Sequence, residues 1–240
     1  MARSAKLAAA DRARLLAAGV DASRIDSLDL VLVETDTPDG WADRGNRLYL
    51  TGESAPDSRF FFTSSAHPPA TDALVVLAER AEVMPAIRMW GHGPLLFIGP
   101  GSSLRHGTVA LGDASTIVLK GEATAIATFE LQARNGGSIV VGRDQLWATN
   151  ITLQTDDMHA IRDASTGQRL NAFGGHIRIG THGWLGRDSA VLGGAVLGRD
   201  TVVGLGSIVT AGEHPDGVVL AGAPARVVRT GITWSRDDLP

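Results

Sequence analysis

His159 stands in a polar run with Asp156, Asp157, Arg162 and Asp163 close by in sequence. An imidazole with an ordinary pKa near ~6.5 accepts a proton from an alcohol at neutral pH, and a neighbouring carboxylate raises its basicity. His159 is therefore the candidate general base, and Asp157 the carboxylate that would assist it. The run TDDMHAIRDASTGQRLNAFGGH, from Thr155 to His176, is too polar for a packed interior and reads as an extruded loop. Loops carried on rigid scaffolds commonly hold function. His67, ahead of two prolines, reads as a solvated loop residue instead.

The elements on either side of that run must hold it in place. From Ile179 the chain divides into sixes: IGTHGW, LGRDSA, VLGGAV, LGRDTV, VGLGSI. Position one is aliphatic throughout (Ile179, Leu185, Val191, Leu197, Val203, Val209), and position five is always small (Gly183, Ser189, Ala195, Thr201, Ser207). Neither a helical nor a simple strand period produces this pattern, whereas a six-residue repeat of a parallel β-helix does. Three sixes close a triangular coil. Position one then points inward and stacks one coil away, so Ile179 should lie under Leu197, Leu185 under Val203 and Val191 under Val209. Position-two glycines are expected to relieve the backbone where each turn is tightest.

IGPGSS at Ile98, LRHGTV at Leu104, VGRDQL at Val141 and WATNIT at Trp147 fit the same template, while residues 110 to 138 lose strict register. The division expected is an N-terminal α/β segment over 1–85, a β-helix over 86–221 with its loop at 155–176, and a helix or tail over 222–240. Within the first segment, residues 5 to 18 read as a helix with Lys6, Asp11 and Arg14 facing water. Asp29 to Glu34, Arg47 to Leu50 and Phe60 to Phe62 read as strands, with a turn at Pro38 to Gly40 and a surface loop within 52 to 72.

Composition narrows the partners. The 240 residues carry a net charge of −4, which gives no general attraction to nucleic acid or an anionic membrane. Hydrophobic content of 44% with only 5% aromatics fits a narrow prism, and the 29 glycines fit frequent turns. There is no cysteine, hence no disulfide or thiolate chemistry. Asp11, Arg12 and Arg14 interrupt the N-terminal apolar run, so neither a signal peptide nor a membrane span is expected there, and a cytoplasmic protein is.

The segments DDMHAIRDASTGQRLN, HIRIGTHGWLG, VVGLGSIVT and AGAPARVVR resemble the hexapeptide-repeat acyltransferases of the left-handed β-helix class. The resemblance covers roughly residues 90 to 234 and is strongest to the branch that O-acetylates sugars in surface polysaccharides. It implies an all-β-dominated, left-handed parallel β-helix with a mixed α/β N-terminal segment and a short C-terminal helix. It implies acetyl-CoA as acyl donor, a sugar or polysaccharide acceptor, no metal, and a homotrimer with sites between neighbouring prisms. His159 matches the base that deprotonates the acceptor hydroxyl for direct attack, and Trp184 the tryptophan lining the reaction centre. Leu185–Gly186, Gly204–Leu205 and Thr210 fall along the pantetheine path, and Arg226 and Arg229 match residues that meet the CoA phosphates, a role that guanidinium suits. The sequence departs from the usual pattern at Leu205, Ala211 and Ala223, all near the expected CoA path.

Other chemistries have their own requirements. A zinc enzyme on the same solenoid needs three converging histidines. His176 and His182, six residues apart, fall on successive faces and do not converge within one subunit. A non-catalytic scaffold would use the loop and the N-terminal segment as a binding surface. Within the acyltransferase reading, an amino sugar, serine or a xenobiotic is the alternative acceptor.

Overall fold

The computed structural model describes residues 6–35, 37–51, 68–78, 82–83 and 86–237. The expected strand Phe60 to Phe62, His67 and most of the loop expected within 52 to 72 lie outside the described residues. The architecture is a three-sided parallel β-helix. One face is a single ladder of parallel strands that includes Arg47–Thr51, Leu74–Leu77, Leu95–Ile98, Thr116–Leu119, Ser138–Val141, His176–Ile179 and Ala195–Leu197. The second face carries Gln145–Trp147, Gly183–Leu185, Val202–Val203 and Val218–Gly222. The third carries Ile151–Gln154, Ala190–Leu192 and Ile208–Val209.

The register follows the sixfold reading. Ile179 pairs with Leu197, Leu185 with Val203 and Val191 with Val209. Every one of these side chains lies at most 4% exposed, and the small position-five residues are buried beside them. The upstream coils are larger: Ile98, Leu119 and Val141 occupy equivalent rungs yet stand 21 and 22 residues apart. The long strands Ser103–Leu111 and Ala123–Ala133 bend round the corner between the second and third faces. Residues 105–107 and 126–128, at that bend, are mostly exposed. This wider corner is why the strict register fades between 110 and 138.

Several expectations need correction. The ladder does not begin near residue 86, because Arg47–Thr51 and Leu74–Leu77 are already rungs of it. Asp11 does not face water: it is 1% exposed, accepting hydrogen bonds from Arg47 Nε at 2.8 Å and Tyr49 Oη at 2.9 Å. The helix Ala9–Ala17 lies against the outer side of the first face, where Leu15, Val20 and Ile25 pack on Tyr49, Leu74, Val76, Phe97 and Val118. Finally, the C-terminal segment is not helical. Ala225–Thr230 is a strand antiparallel to Val218–Gly222, which covers the last open edge of the second face.

Position-two glycines serve clearance rather than turn conformation. A Cβ on Gly180 would lie 2.6 Å from the Arg199 nitrogen, and one on Gly186 would lie 2.7 Å from the Val203 oxygen. The left-handed residues sit instead at position four: His182, Asp188, Gly194, Asp200 and Gly206, with φ between 57° and 89°.

Candidate active site

The loop that carries His159 leaves the third face after Gln154 and rejoins the ladder at His176. Its two ends meet in a narrow neck, where Gly175 N donates to the Thr155 carbonyl at 3.1 Å. Glycine is needed there: a Cβ on Gly174 would lie 2.1 Å from the Asn135 oxygen, and one on Gly175 would lie 2.4 Å from the Thr155 oxygen. Beyond the neck, Asp156 anchors the loop. It is 7% exposed and accepts from Met158 N at 3.0 Å and from Asn135 Nδ2 at 2.7 Å.

Farther out the loop folds on itself as a small hairpin. Leu170 N donates to the Ile161 carbonyl, and Arg162 and Arg169 form an antiparallel bridge. Asp163 Oδ1 closes the tip by accepting from the backbone and hydroxyl groups of both Ser165 and Thr166. Those donors, led by the Ser165 hydroxyl, pull the Asp163 carboxyl down to about 2. It is consequently occupied within the loop rather than available to His159.

Asn171 ties the hairpin to the histidine. Its Nδ2 donates to the His159 carbonyl at 2.8 Å and to Asp157 Oδ2 at 2.9 Å. His159 is exposed, and among the described residues its imidazole has no hydrogen-bond partner. The backbone is therefore held while the side chain stays exposed. Among the described residues the Asp157 carboxylate makes no bond to the imidazole; it accepts from Asn171, while the Asp157 carbonyl accepts from His159 N at 2.7 Å.

Beside the neck lies a cleft of about 230 Å³ lined by Gln154, Asp156, Asp157, Gly193, Thr210 and Ala211, among others. Thr210 thus shares a surface with Asp157. The remaining candidates form a second group elsewhere on the prism. Trp184 is 39% exposed on the second face. Leu185 is wholly buried, so only its backbone is available, and Gly186 packs directly on Gly204 and Leu205 of the next coil. Leu205 is 74% exposed. Arg226 and Arg229 lie on the covering strand, opposite Ala221 and Val219. Among the described residues neither guanidinium has a carboxylate partner. The third face separates the two groups within one chain.

A feature that the sequence reading missed is the tail over Ile232 to Arg236. Trp234 stacks on His182 with ring centroids 4.3 Å apart and lies 5.9 Å from Trp184. Its Nε1 donates to the His182 carbonyl at 2.9 Å. His182 Nδ1 is 2.7 Å from Asp200 Oδ1, which also accepts from Thr233 Oγ1. These contacts, the His182 bond first, lower the Asp200 pKa. A tryptophan in an otherwise polar tail is the signal that would have pointed to it. His176 bonds to Ser138 instead, so the two histidines remain apart.

No family model matches the chain. It is 32% identical over 103 residues to galactoside O-acetyltransferase of Escherichia coli K12, covering 43% of this chain and 49% of that protein. It is 30% identical over 132 residues to the polysialic acid O-acetyltransferase of Escherichia coli O1:K1, covering 55% and 42%. The chain spans about half the length of these curated relatives. The structure of the polysialic acid O-acetyltransferase OatWY superposes with a TM-score of 0.61 at 26% identity, covering 71% of this chain and 76% of that one. That of the polysialic-acid-specific acetyltransferase NeuO gives 0.51 at 22%, a likeness of fold alone. The fold is the left-handed β-helix. Its relatives by sequence are sugar and polysialic acid O-acetyltransferases of the hexapeptide-repeat kind.

Proposed function

We propose that this protein is an acetyl-CoA-dependent O-acetyltransferase acting on a hydroxyl of a sugar within a surface polysaccharide or its precursor. The observation that carries the proposal is the built loop: neck, anchor and hairpin fix the His159 backbone yet leave its imidazole exposed and, among the described residues, unpartnered. The names of the sequence relatives supply the substrate class.

In the proposed reaction the acceptor hydroxyl gives its proton to His159 as its oxygen attacks the thioester carbonyl carbon. The carbon–sulfur bond then breaks, and the thiolate leaving group takes the proton from the imidazolium. Asp157 and Asn171 hold the histidine in place. Trp184, the Leu185–Gly186 backbone, Gly204 and Leu205 would line the path of the pantetheine arm, and the unpaired Arg226 and Arg229 would meet phosphates. The separation of Trp184 from His159 supports a site assembled between two copies of the chain, as a homotrimer would provide.

General-base assistance is worth ~10²–10⁴ in rate. His159→Ala should therefore fold with an unchanged melting temperature and lose acetyl transfer by that factor in kcat. Transfer at a near-normal rate would overturn the mechanism.

A further inference from the structure

Upstream of the loop, the outer side of the third face carries polar side chains that the transfer step does not use. Strand pairing sets Arg88, Ala110, Gln132 and Gln154 side by side in one column running across the coils. A second column beside it holds Thr108, Glu130 and Thr152. Gln132 Nε2 donates to the Glu130 carboxylate, and Arg134 donates to Gln132 Oε1 at 3.2 Å. The Arg134 guanidinium lies over the Trp90 ring, 4.9 Å from its centroid. That ring rests on Gly112, where a Cβ would come within 3.1 Å of the indole. Arg134 Nε is buried, with no hydrogen-bond partner among the described residues.

This row has the composition of a polyol-binding surface. The amide, carboxylate and guanidinium groups, though bonded to one another along the row, keep further N–H donors and oxygen lone pairs that adjacent hydroxyls of a pyranose ring can match. Ala110, 5% exposed, is covered between Arg88 and Gln132 and adds no polar group to the row. The polar part of the column ends at Gln154, next to Leu192, and Gln154 also lines the cleft beside Asp157 and Thr210. Three coil steps of about 4.8 Å put Arg88 roughly 14 Å from Gln154, longer than a single sugar ring.

We propose that the column Arg88–Gln132–Gln154, with Glu130 and Arg134, is a subsite that holds successive units of a glycan chain while one unit occupies the cleft. The proposal rests on the sugar-acceptor reading given above. It makes chain length, and not only the identity of the reacting sugar, a determinant of binding.

Calorimetric binding of oligosialic acids and galacto-oligosaccharides of two to six units, without acetyl-CoA, tests this independently of transfer. The native protein should bind at least one series with affinity that rises with length. Replacing Arg88→Ala and Gln132→Ala together should abolish most of that rise, about tenfold for the longest chains, without lowering the melting temperature. Absence of binding to both series, affinity independent of length, or an unaltered rise in the variant would overturn the subsite. Acetyl transfer to the same oligosaccharides is read separately. Length-dependent binding without transfer would sustain the subsite and refute the acetyltransferase reading, whereas transfer without length dependence would do the reverse.

Discussion

At the scale of single residues, two adjacent aspartates divide the work of holding His159. Asp156 is the buried one, bonded to Met158 N and Asn135 Nδ2, while Asp157 holds the histidine backbone through its own carbonyl, which accepts from His159 N, and through the Asn171 bond to its carboxylate. Adjacency in sequence singled out Asp157, since burial is not visible in a run of polar residues. Asp156→Ala should cost the anchor roughly 1–3 kcal/mol, freeing the loop without unzipping the ladder. Trypsin should then cleave after Arg162 or Arg169 faster than in the parent protein, with little change in melting temperature; equal cleavage rates would refute the anchoring role. Trp234 acts similarly at the other group. With its ring against His182 and Trp184, Trp234→Ala should raise KM for acetyl-CoA more than it lowers kcat, and Trp234→Phe should restore much of the loss. An unaltered KM would show that the tail does not set Trp184.

At the scale of elements, the sixfold pattern revealed the rungs and their stacking because position-one residues have nowhere to go but inward. It misassigned the position-two glycines, because the crowding they relieve comes from the next coil, eighteen residues away and invisible locally. Gly180→Ala, which forces a Cβ to 2.6 Å from the Arg199 backbone, should destabilise by about 1–3 kcal/mol by calorimetry. Gly206→Ala, with open space but φ of 66°, should cost less, about 1 kcal/mol. A reversed order would put the glycine requirement back in the turns. The C-terminal strand was illegible for a related reason. ARVVR favours a strand through its two valines, but the open edge of Val218–Gly222 that pairs with it exists only in the assembled prism. The N-terminal rungs escaped notice because Arg47–Thr51 and Leu74–Leu77 lack the glycine punctuation of the later coils.

At the scale of the whole molecule, the column Val141, Ile179, Leu197 ends on His214. Burial there, with the nearby Arg226 charge, lowers the His214 pKa, and its Nε2 is buried with no partner among the described residues. A histidine with a depressed folded pKa favours unfolding as pH falls through its ordinary value of 6.5, because the unfolded chain takes up the proton first. Stability should therefore decline below about pH 6.5, and His214→Leu should flatten that decline in thermal melts across pH 5 to 8. An identical pH profile in the variant would remove His214 as its source. The two separated residue groups lead to a prediction about the assembly. Mixed and refolded together, His159→Ala and Trp184→Ala subunits should recover part of the transfer activity that each lacks alone. No recovery would place the working site within one chain.

The ladder closes directly across the loop: Val141 pairs with Ile179 although 38 positions separate them. The scaffold registers the neck, where Thr155 and Gly175 meet, and the Asp156 carboxylate held by Asn135, and is indifferent to the rest of what is threaded between them. Doubling the length of such an excursion adds only about 0.6 kcal/mol in closure entropy. The segment behaves as an interchangeable cartridge in a fixed housing. Its length and tip can be rewritten, by evolution or by design, to suit another acceptor without asking the prism to fold again.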